Sequence, residues 1–596
     1  MMSHKDLHTF HIPVMGTSFS IDTPAKVAQY GIDSVIQIMD DQLCEHMRAH
    51  YANIYQLPYT PIAHSEWDYR AKRISAYLDL LDLIVQIQLN TIKSQPIKNN
   101  KYFEMLPETS PVKMAYETYL KSQDPKLEDY LKSMIKSGSI DVNIMTVVDR
   151  DNYDNNGQKL PDEYSDALSA LRGFANSTVA SGVVLSAGFN RRLNTYMEQF
   201  DGFYPDEAGF IKKRVILKVS DYRSAMIQGK LFAKKGIWIS EFRIESGLNC
   251  GGHAFASDGF LMGPILDEFK NNREEMYATL LSMCNETLRK REKTQFSINP
   301  PMRVTVQGGI GTTAEDQFLL KYYQIDGTGW ASPFLLVPEA SLVDDETREL
   351  LAKSGPNDVY LSPLSPLGVP FNAVRNTISD QVRSQQIKDG HPGSPCRKRH
   401  LCFNTEFGGK PLCTASSVYQ KKKIAELDQL NLPQEAYQKA FDKITQKACL
   451  CEDLGAGAYI AYHIPCKSPL TPVICPGPNI AYFSKIVSLA EMIGHIYGRL
   501  NLLNTTEQRP HMFIKELKMY IDYFKEEISN SLPKLTEKQA KKFEEFKTNL
   551  FNGIEYYKTI IPKLIDETNK NIMTELNTLK SELDFLVQQK LNPVIA

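Results

Sequence analysis

The chain has 596 residues, of which 42% are apolar and 23% charged, and its formal net charge is −2. Near-neutrality argues against the global basic footprint of a nucleic-acid binder, and no apolar run reaches the ~18 residues needed to span a bilayer. The length suggests roughly two to four domains. With no N-terminal apolar segment of signal-peptide type, the expectation is a cytoplasmic protein whose ten cysteines are mostly reduced.

Short apolar runs rich in β-branched residues alternate with helical stretches. In order they are Phe10–Met15, Ser34–Met39, Val142–Val148, Gly182–Ala187, Arg214–Val219, Gly236–Phe242, Arg303–Gln307 and Gly327–Phe334. Such runs suit strands buried on both faces of a parallel sheet. Eight of them predict a (β/α)8 barrel within residues 1–345, with an open doubly wound sheet as the other arrangement of the same pattern. Residues 41–140, with "YLDLLDLIVQIQLNTI", read as a helical insertion over one end of the barrel. Residues 346–480 are Pro-, Gly- and Cys-rich and read as irregular. Residues 481–596 read as helical, with breaks near Pro533 and Pro562. Thr536 and Gln539 have the spacing of a capping box. Ile572, Leu576, Leu579, Leu583 and Leu586 form an apolar seam suited to packing within the chain. The basic clusters "CRKRH" (396–400) and "KKK" (421–423) read as solvated faces.

Barrels bind ligands at the C-terminal ends of their strands. There, "TVQGGIGTTAED" places Gly308, Gly309 and Gly311 after the seventh strand and before a helix, and "DGTGWASPF" gives the eighth strand a second small-residue run. Glycine turns that open helices bind phosphate through backbone N–H groups and the helix dipole, and two on adjacent strands could share one phosphate. The sixth strand ends in "ESGLNCGGHAF". Three readings compete for that loop: a metal loop through Cys250 and His253, a turn with a packed histidine, or a ligand-facing loop whose histidine moves protons. Zinc lacks a nearby second pair of ligands.

Seven cysteines fall between 396 and 475: Cys396, Cys402, Cys413, Cys449, Cys451, Cys466 and Cys475. All but Cys402, the weakest of them, are candidate ligands of a metal or iron–sulfur site; unligated structural thiols are the alternative. Glu452 and Asp453 suit a helix N-terminus, whose dipole would favour thiolates at Cys449 and Cys451. "NYDNNGQKLPDE" puts Asn152, Asp154, Asn156, Gly157 and Glu163 at EF-hand offsets but reads as a polar loop. "LGAGAY" at 454–459 reads as a turn.

Three segments together resemble the nitronate monooxygenase (2-nitropropane dioxygenase) family: "HIPVMGTSFSIDTPAKVAQYG", "RVILKVSDYRSAMIQGKLFAKKGIWISEFRIESGLNCGGHAF" and "VTVQGGIGTTAEDQFLLKYYQIDGTGWASPFLLVPE". The resemblance covers roughly the first 340 residues outside the insertion. It implies an FMN-dependent TIM-barrel oxidoreductase. Met15, Gly16 and Thr17 would contact the flavin ring, with Asn143 and Lys218 beside it. Gly252, Gly308, Gly309, Gly329, Ala331 and Ser332 would surround the phosphate side, and His253 would be the catalytic base. Cys250, Ala331 and Pro333 depart from the family pattern. NAD(P)H-dependent reduction of an enoyl thioester is the runner-up. A flavin or iron–sulfur component serving a partner enzyme is the third reading. The substrate is expected to be a small molecule, with no membrane or nucleic acid involved. The electron donor, NAD(P)H or a redox partner, and a homo-oligomeric state stay open.

Overall fold

The computed structural model describes residues 7–154, 156–186, 188–251, 258–466, 469–504, 508–531, 536–564 and 571–588. Eight parallel strands close in sequence order into a barrel: β1 (Phe10–Ile12), β2 (Asp33–Gln37), β3 (Ile140–Ile144), β4 (Ser181–Leu185), β5 (Lys213–Val219), β6 (Ile239–Glu245), β7 (Arg303–Gln307) and β8 (Gly327–Gly329). Each lies in or overlaps one of the eight apolar runs, and β1 and β8 pair to complete the ring. Both closing strands are shorter than their runs. Pro13 follows β1 and has no N–H for a ladder. Pro333 starts a 3-10 turn, Ser332–Leu336, soon after β8.

Inside the barrel the strands are not apolar throughout. Val35, Val184 and Ile216 form a small layer of their own with Val14, apart from the main core. Toward the N-terminal end lies an ionic layer. Glu241 accepts from Arg243 Nε (2.8 Å) and Thr305 Oγ1 (2.6 Å), and Arg214 pairs with Asp141 (3.4 Å). Toward the C-terminal end, Gln37, Asn143, Lys218 and Glu245 line an open cavity. The period of two along each strand sets this layering.

The insertion is helical as expected, but it does not roof the barrel's mouth. Helix Tyr69–Ser94 packs against helices Asp41–Ile54 and Asp166–Asn176 and so takes a place in the outer ring. A Cβ on Gly173 would stand 2.8 Å from Ala71 O, so only glycine permits that approach. The chain then returns at the N-terminal side of the strands. Gly138 N donates to Ala28 O (2.8 Å), and Tyr102 Oη donates to Lys136 O (3.1 Å).

Residues 346–480 carry more regular structure than their composition suggests. They hold an antiparallel hairpin, β9 (Val359–Ser362) with β10 (Phe371–Val374), and several helices. "LGAGAY" is not a turn but part of helix Leu450–Ala461. The helix docks on the loop after β1, where Ser18 N and Oγ both donate to Leu454 O (3.3 and 2.6 Å). The tail is helical. Thr536 and Gln539 form the reciprocal capping bonds, and the whole apolar seam of helix Ile572–Leu586 is buried within the chain. Pro562 lies inside helix Glu537–Leu564, near its end, and Pro533 lies outside the described residues. Among the described residues, no helix is long and apolar enough to cross a membrane.

One buried carboxyl makes the tail's attachment pH-dependent. Glu516, on helix Met512–Ser531, accepts from Met262 N (2.9 Å) and Tyr557 Oη (3.3 Å) without any cation, and burial pushes its pKa up to about 7. The folded value lies above the unfolded one. Its neutral form therefore contributes stability that is complete below the unfolded value and lost as pH rises through about 7. Glu516→Gln should remove that dependence and stabilise the protein at pH 8 by on the order of 3 kcal/mol. Urea midpoints at pH 5 and pH 8 check this; parallel shifts of wild type and variant at both pH values would contradict it.

Candidate functional site

At the C-terminal mouth of the barrel lies a cavity of about 130 Å³. Its floor is polar. Gln37 ends β2, Asn143 sits in β3, Lys218 in β5 and Glu245 ends β6. Lys218 Nζ pairs with Glu245 Oε1 at 2.7 Å, and Gln307 Nε2 donates to the same oxygen at 2.6 Å. Gln37 Oε1, Asn143 Oδ1 and Asn249 Oδ1 are buried without a hydrogen-bond partner among the described residues. A buried amide left so costs free energy unless a ligand or water completes it.

The side walls are the loop after β1, through Val14, Gly16 and Thr17, and the loop after β6, through Asn249, Cys250 and Gly251. Met15 is fully buried behind this wall. Its carbonyl lies 3.7 Å from the Sγ atoms of both Cys250 and Cys475. The roof is mostly apolar and comes from the C-terminal region: Leu367, Phe371, Leu401, Leu450 and Leu454, with His400 and Cys451 among them. Gly252 and His253 lie outside the described residues.

The two small-residue runs converge as expected. Gly308, Gly309, Gly329, Ala331 and Ser332 border one narrow cleft beside Asn249 and Gln307. Gly308 and Gly309 have φ of 106° and 82°, a successive pair that glycine alone adopts readily. The helix that follows contributes less than the sequence suggests. Helix Thr313–Tyr322 is closed by a capping box of Thr312 and Glu315, and Glu315 also accepts from Gly311 N at 2.9 Å. An anion would therefore meet the glycine turn and not the helix end.

The segment that follows Cys475 lies over this cleft. Gly477 N donates to Ser332 Oγ (3.0 Å), and Asn479 Nδ2 donates to Ile310 O (2.7 Å). From the tail, Arg509 bonds Gly309 O (2.6 Å), Asn479 Oδ1 (2.8 Å) and Glu315 Oε1 (2.8 Å). The cleft beneath has a volume of about 10 Å³, near that of one water position. The cavity thus offers unpartnered polar groups beneath an apolar roof, whereas the glycine cleft beside it is far tighter.

The thiols divide. Cys475 sits with Cys250 behind the β1 loop, and Cys466 is exposed. Cys396 lies 3.6 Å from Cys402, the cysteine the sequence ranked lowest, and the buried Cys413 thiol neighbours it too. Cys449 caps helix Leu450–Ala461, with Cys451 in its first turn. There burial outweighs the helix dipole: it pushes the Cys449 thiol up to about 11 and Cys451 well above the ordinary thiol range. Among the described residues, no group of three or more His, Cys, Asp or Glu side chains is placed to hold a metal ion. Part of the EF-hand-like stretch is a small hairpin loop, with Tyr153 bridged to Lys159 and Asp154 Oδ1 accepting from Asn156 N and Gln158 N.

"CRKRH" is not simply a solvated face. Lys398 is paired with Asp40, and His400 Nδ1 lies 3.3 Å from Asp166 Oδ2. Asp40, Lys398 and His400 also line a charged cleft of about 710 Å³ that flanks the cavity. On the other flank, a cleft of about 550 Å³ shares Lys218, Glu245 and Asn249 with the cavity and has Phe189, Ile227 and Leu231 along its side. Glu245, Asn249, His400 and Arg509 carried no signal of their own in the sequence. Gln37 joins them as the register partner of Asn143 across β2 and β3, a pairing that only the fold supplies. No protein-family model matches the chain, and no curated protein matches it.

Proposed function

We propose that the protein is an FMN-dependent oxidoreductase of the nitronate monooxygenase type, acting on a small molecule with an acidic C–H bond. The observation that carries this reading is the set of unpartnered amides, Gln37, Asn143 and Asn249, beside the Lys218–Glu245 pair and under a largely apolar roof. Gly16 and Thr17 would hold the ring edge, and Gly308, Gly309, Gly329, Ala331 and Ser332 the phosphate. Seating that phosphate requires Gly477 N–H to release Ser332 Oγ. Bound FMN would supply the two-electron redox couple. The chain's own part is to orient the substrate against the polar floor, exclude water with Leu401, Leu450 and Leu454, and move a proton at the substrate carbon. The resemblance assigns that last role to His253, which lies outside the described residues.

Reduction of an enoyl thioester by NAD(P)H is the second reading. The 550 Å³ cleft favours it, because Phe189, Ile227 and Leu231 could take an acyl chain. The iron–sulfur reading has no ligand set among the described residues to rest on. The partner-enzyme reading is weakened because the last helix buries its seam within the chain.

Heat denaturation of the purified protein should release FMN at about one per chain, identified by chromatography. Recovery of FAD, or no flavin after reconstitution, would remove the proposal. Oxygen consumption with an alkyl nitronate, set against NAD(P)H oxidation with an enoyl thioester, separates the two reactions.

A further inference from the structure

We infer that His400, oriented by Asp166, is an acid–base residue of the central cavity, reaching it from the roof. The inference deepens the flavoenzyme reading and rests on it for the identity of the reaction. His400 borders both the cavity and the charged cleft, so its ring stands at the boundary between the substrate space and a route to solvent. Its partner is built into the barrel. Asp166 is the first residue of helix Asp166–Asn176, the ring helix that follows β3, and its side chain is wholly buried. It accepts from Arg70 and from Asn152 Nδ2 (2.9 Å), with Arg150 Nε at 3.6 Å. Burial alone would push this carboxyl up, but Arg70, His400 and Arg150 hold it well below the usual carboxylate range.

An ionised carboxylate can only accept hydrogen bonds. Nδ1 of His400 must therefore carry the proton between them, and Nε2 is the nitrogen on offer to the cavity. That fixes the tautomer a general base needs, and Asp166 also offsets the positive charge that develops on the ring. The step is a proton transfer. The C–H bond of the substrate breaks, its proton goes to Nε2, and its electron pair moves into the adjacent electron-withdrawing group. The reverse step protonates the carbanion. No oxidant or reductant is consumed. Asp166 does not border the cavity; it acts on the substrate through the imidazole and is a positioning residue.

Proton–deuterium exchange at the carbon of nitroethane, in D2O without oxygen and followed by NMR, isolates this step from redox turnover. The full-length protein should accelerate exchange. His400→Gln and His400→Ala should each slow it by about 10²-fold or more, with melting temperature and flavin content unchanged, and added imidazole should restore exchange to His400→Ala. Asp166→Asn should slow it by about tenfold or more through loss of the tautomer. Wild-type exchange in either His400 variant would overturn the inference, and its loss in His253→Ala alone would assign the proton to the β6 loop. Loss of exchange accompanied by a lowered melting temperature and no imidazole rescue would overturn it as well, leaving His400 a structural role. Absence of exchange in the wild type would do the same. Flavin content, measured on the same samples, reports separately on whether the flavoenzyme reading stands.

Discussion

Arg509→Ala should lower stability by about 3–5 kcal/mol, the usual cost of removing one partner from a buried ion pair. Arg509 and Glu315 are 8% and 2% exposed in their side chains and lie 2.8 Å apart. Burial would push the Glu315 carboxyl up, and Arg509 is the largest influence holding it below its ordinary value. Without the guanidinium, buried Glu315 is left with the N–H groups of Gly311, Thr312 and Met512, its own capping box and the nearby His511. Gly309 O and Asn479 Oδ1 lose their donor in the same substitution. The glycine turn is thereby freed on its outer side, so flavin affinity should fall by about tenfold or more, an added loss of at least about 1.4 kcal/mol. Arg509→Lys restores the charge but not the three-way fork and should recover only part of either quantity. Urea unfolding and fluorescence titration with FMN measure the two. An Ala variant within about 0.5 kcal/mol of wild type would show that the tail's attachment to the turn is unimportant.

Gly308→Ala should abolish flavin binding while leaving the fold intact. At φ 106° an alanine is strained, at a cost of about 1–2 kcal/mol. Its Cβ would also stand 2.7 Å from Ser246 Oγ and 3.1 Å from Asn249 N. The serine hydroxyl can rotate away, but the Asn249 backbone cannot, so the β6 and β7 loops must part. A cleft with room for about one water loses its shape under such a shift. The barrel's ladder from Arg303 to Gln307 ends before the change and should stay paired. Far-UV circular dichroism should be that of wild type, with no flavin retained through gel filtration. Stoichiometric flavin in the variant would place the phosphate elsewhere.

The barrel was legible in the sequence because each strand is a short β-branched run bounded by turn residues, a local signal that survives without tertiary information. Gly308 and Gly309 were legible for a related reason, since a positive φ restricts the residue type wherever it occurs. The roof was not. Leu401, Leu450 and Leu454 look like any other apolar residues, and His400 sits among arginines and a lysine that suggest solvent. Its meaning depends on Asp166, 234 positions away, which also carries no signal of its own. The helix at 450–461 was missed because glycines at 455 and 457 lower helix propensity by about 1 kcal/mol each relative to alanine. A Cβ at Gly457 would meet Phe19 at an ordinary 3.6 Å, and nothing in the packing requires glycine there. The thiols cluster along the chain, and the fold sets Cys475 against Cys250 and Cys396 beside Cys402.

The cavity's floor is complete once β6 and its loop have been made, whereas its roof spans residues 367–454 and Arg509, which fastens the glycine turn, comes later still. On a ribosome adding ~5–20 residues per second, the interval between Asp345 and Arg509 lasts roughly 10–30 s. Throughout that interval a nascent barrel would present Gln37, Asn143 and Lys218 to water through an open mouth. A bulky ligand can settle on the floor then without displacing Leu401, Leu450 or Gly477. After release the same ligand must enter past them. Loading during synthesis and loading afterwards are therefore different kinetic problems for this chain, with the slower one falling on the finished protein.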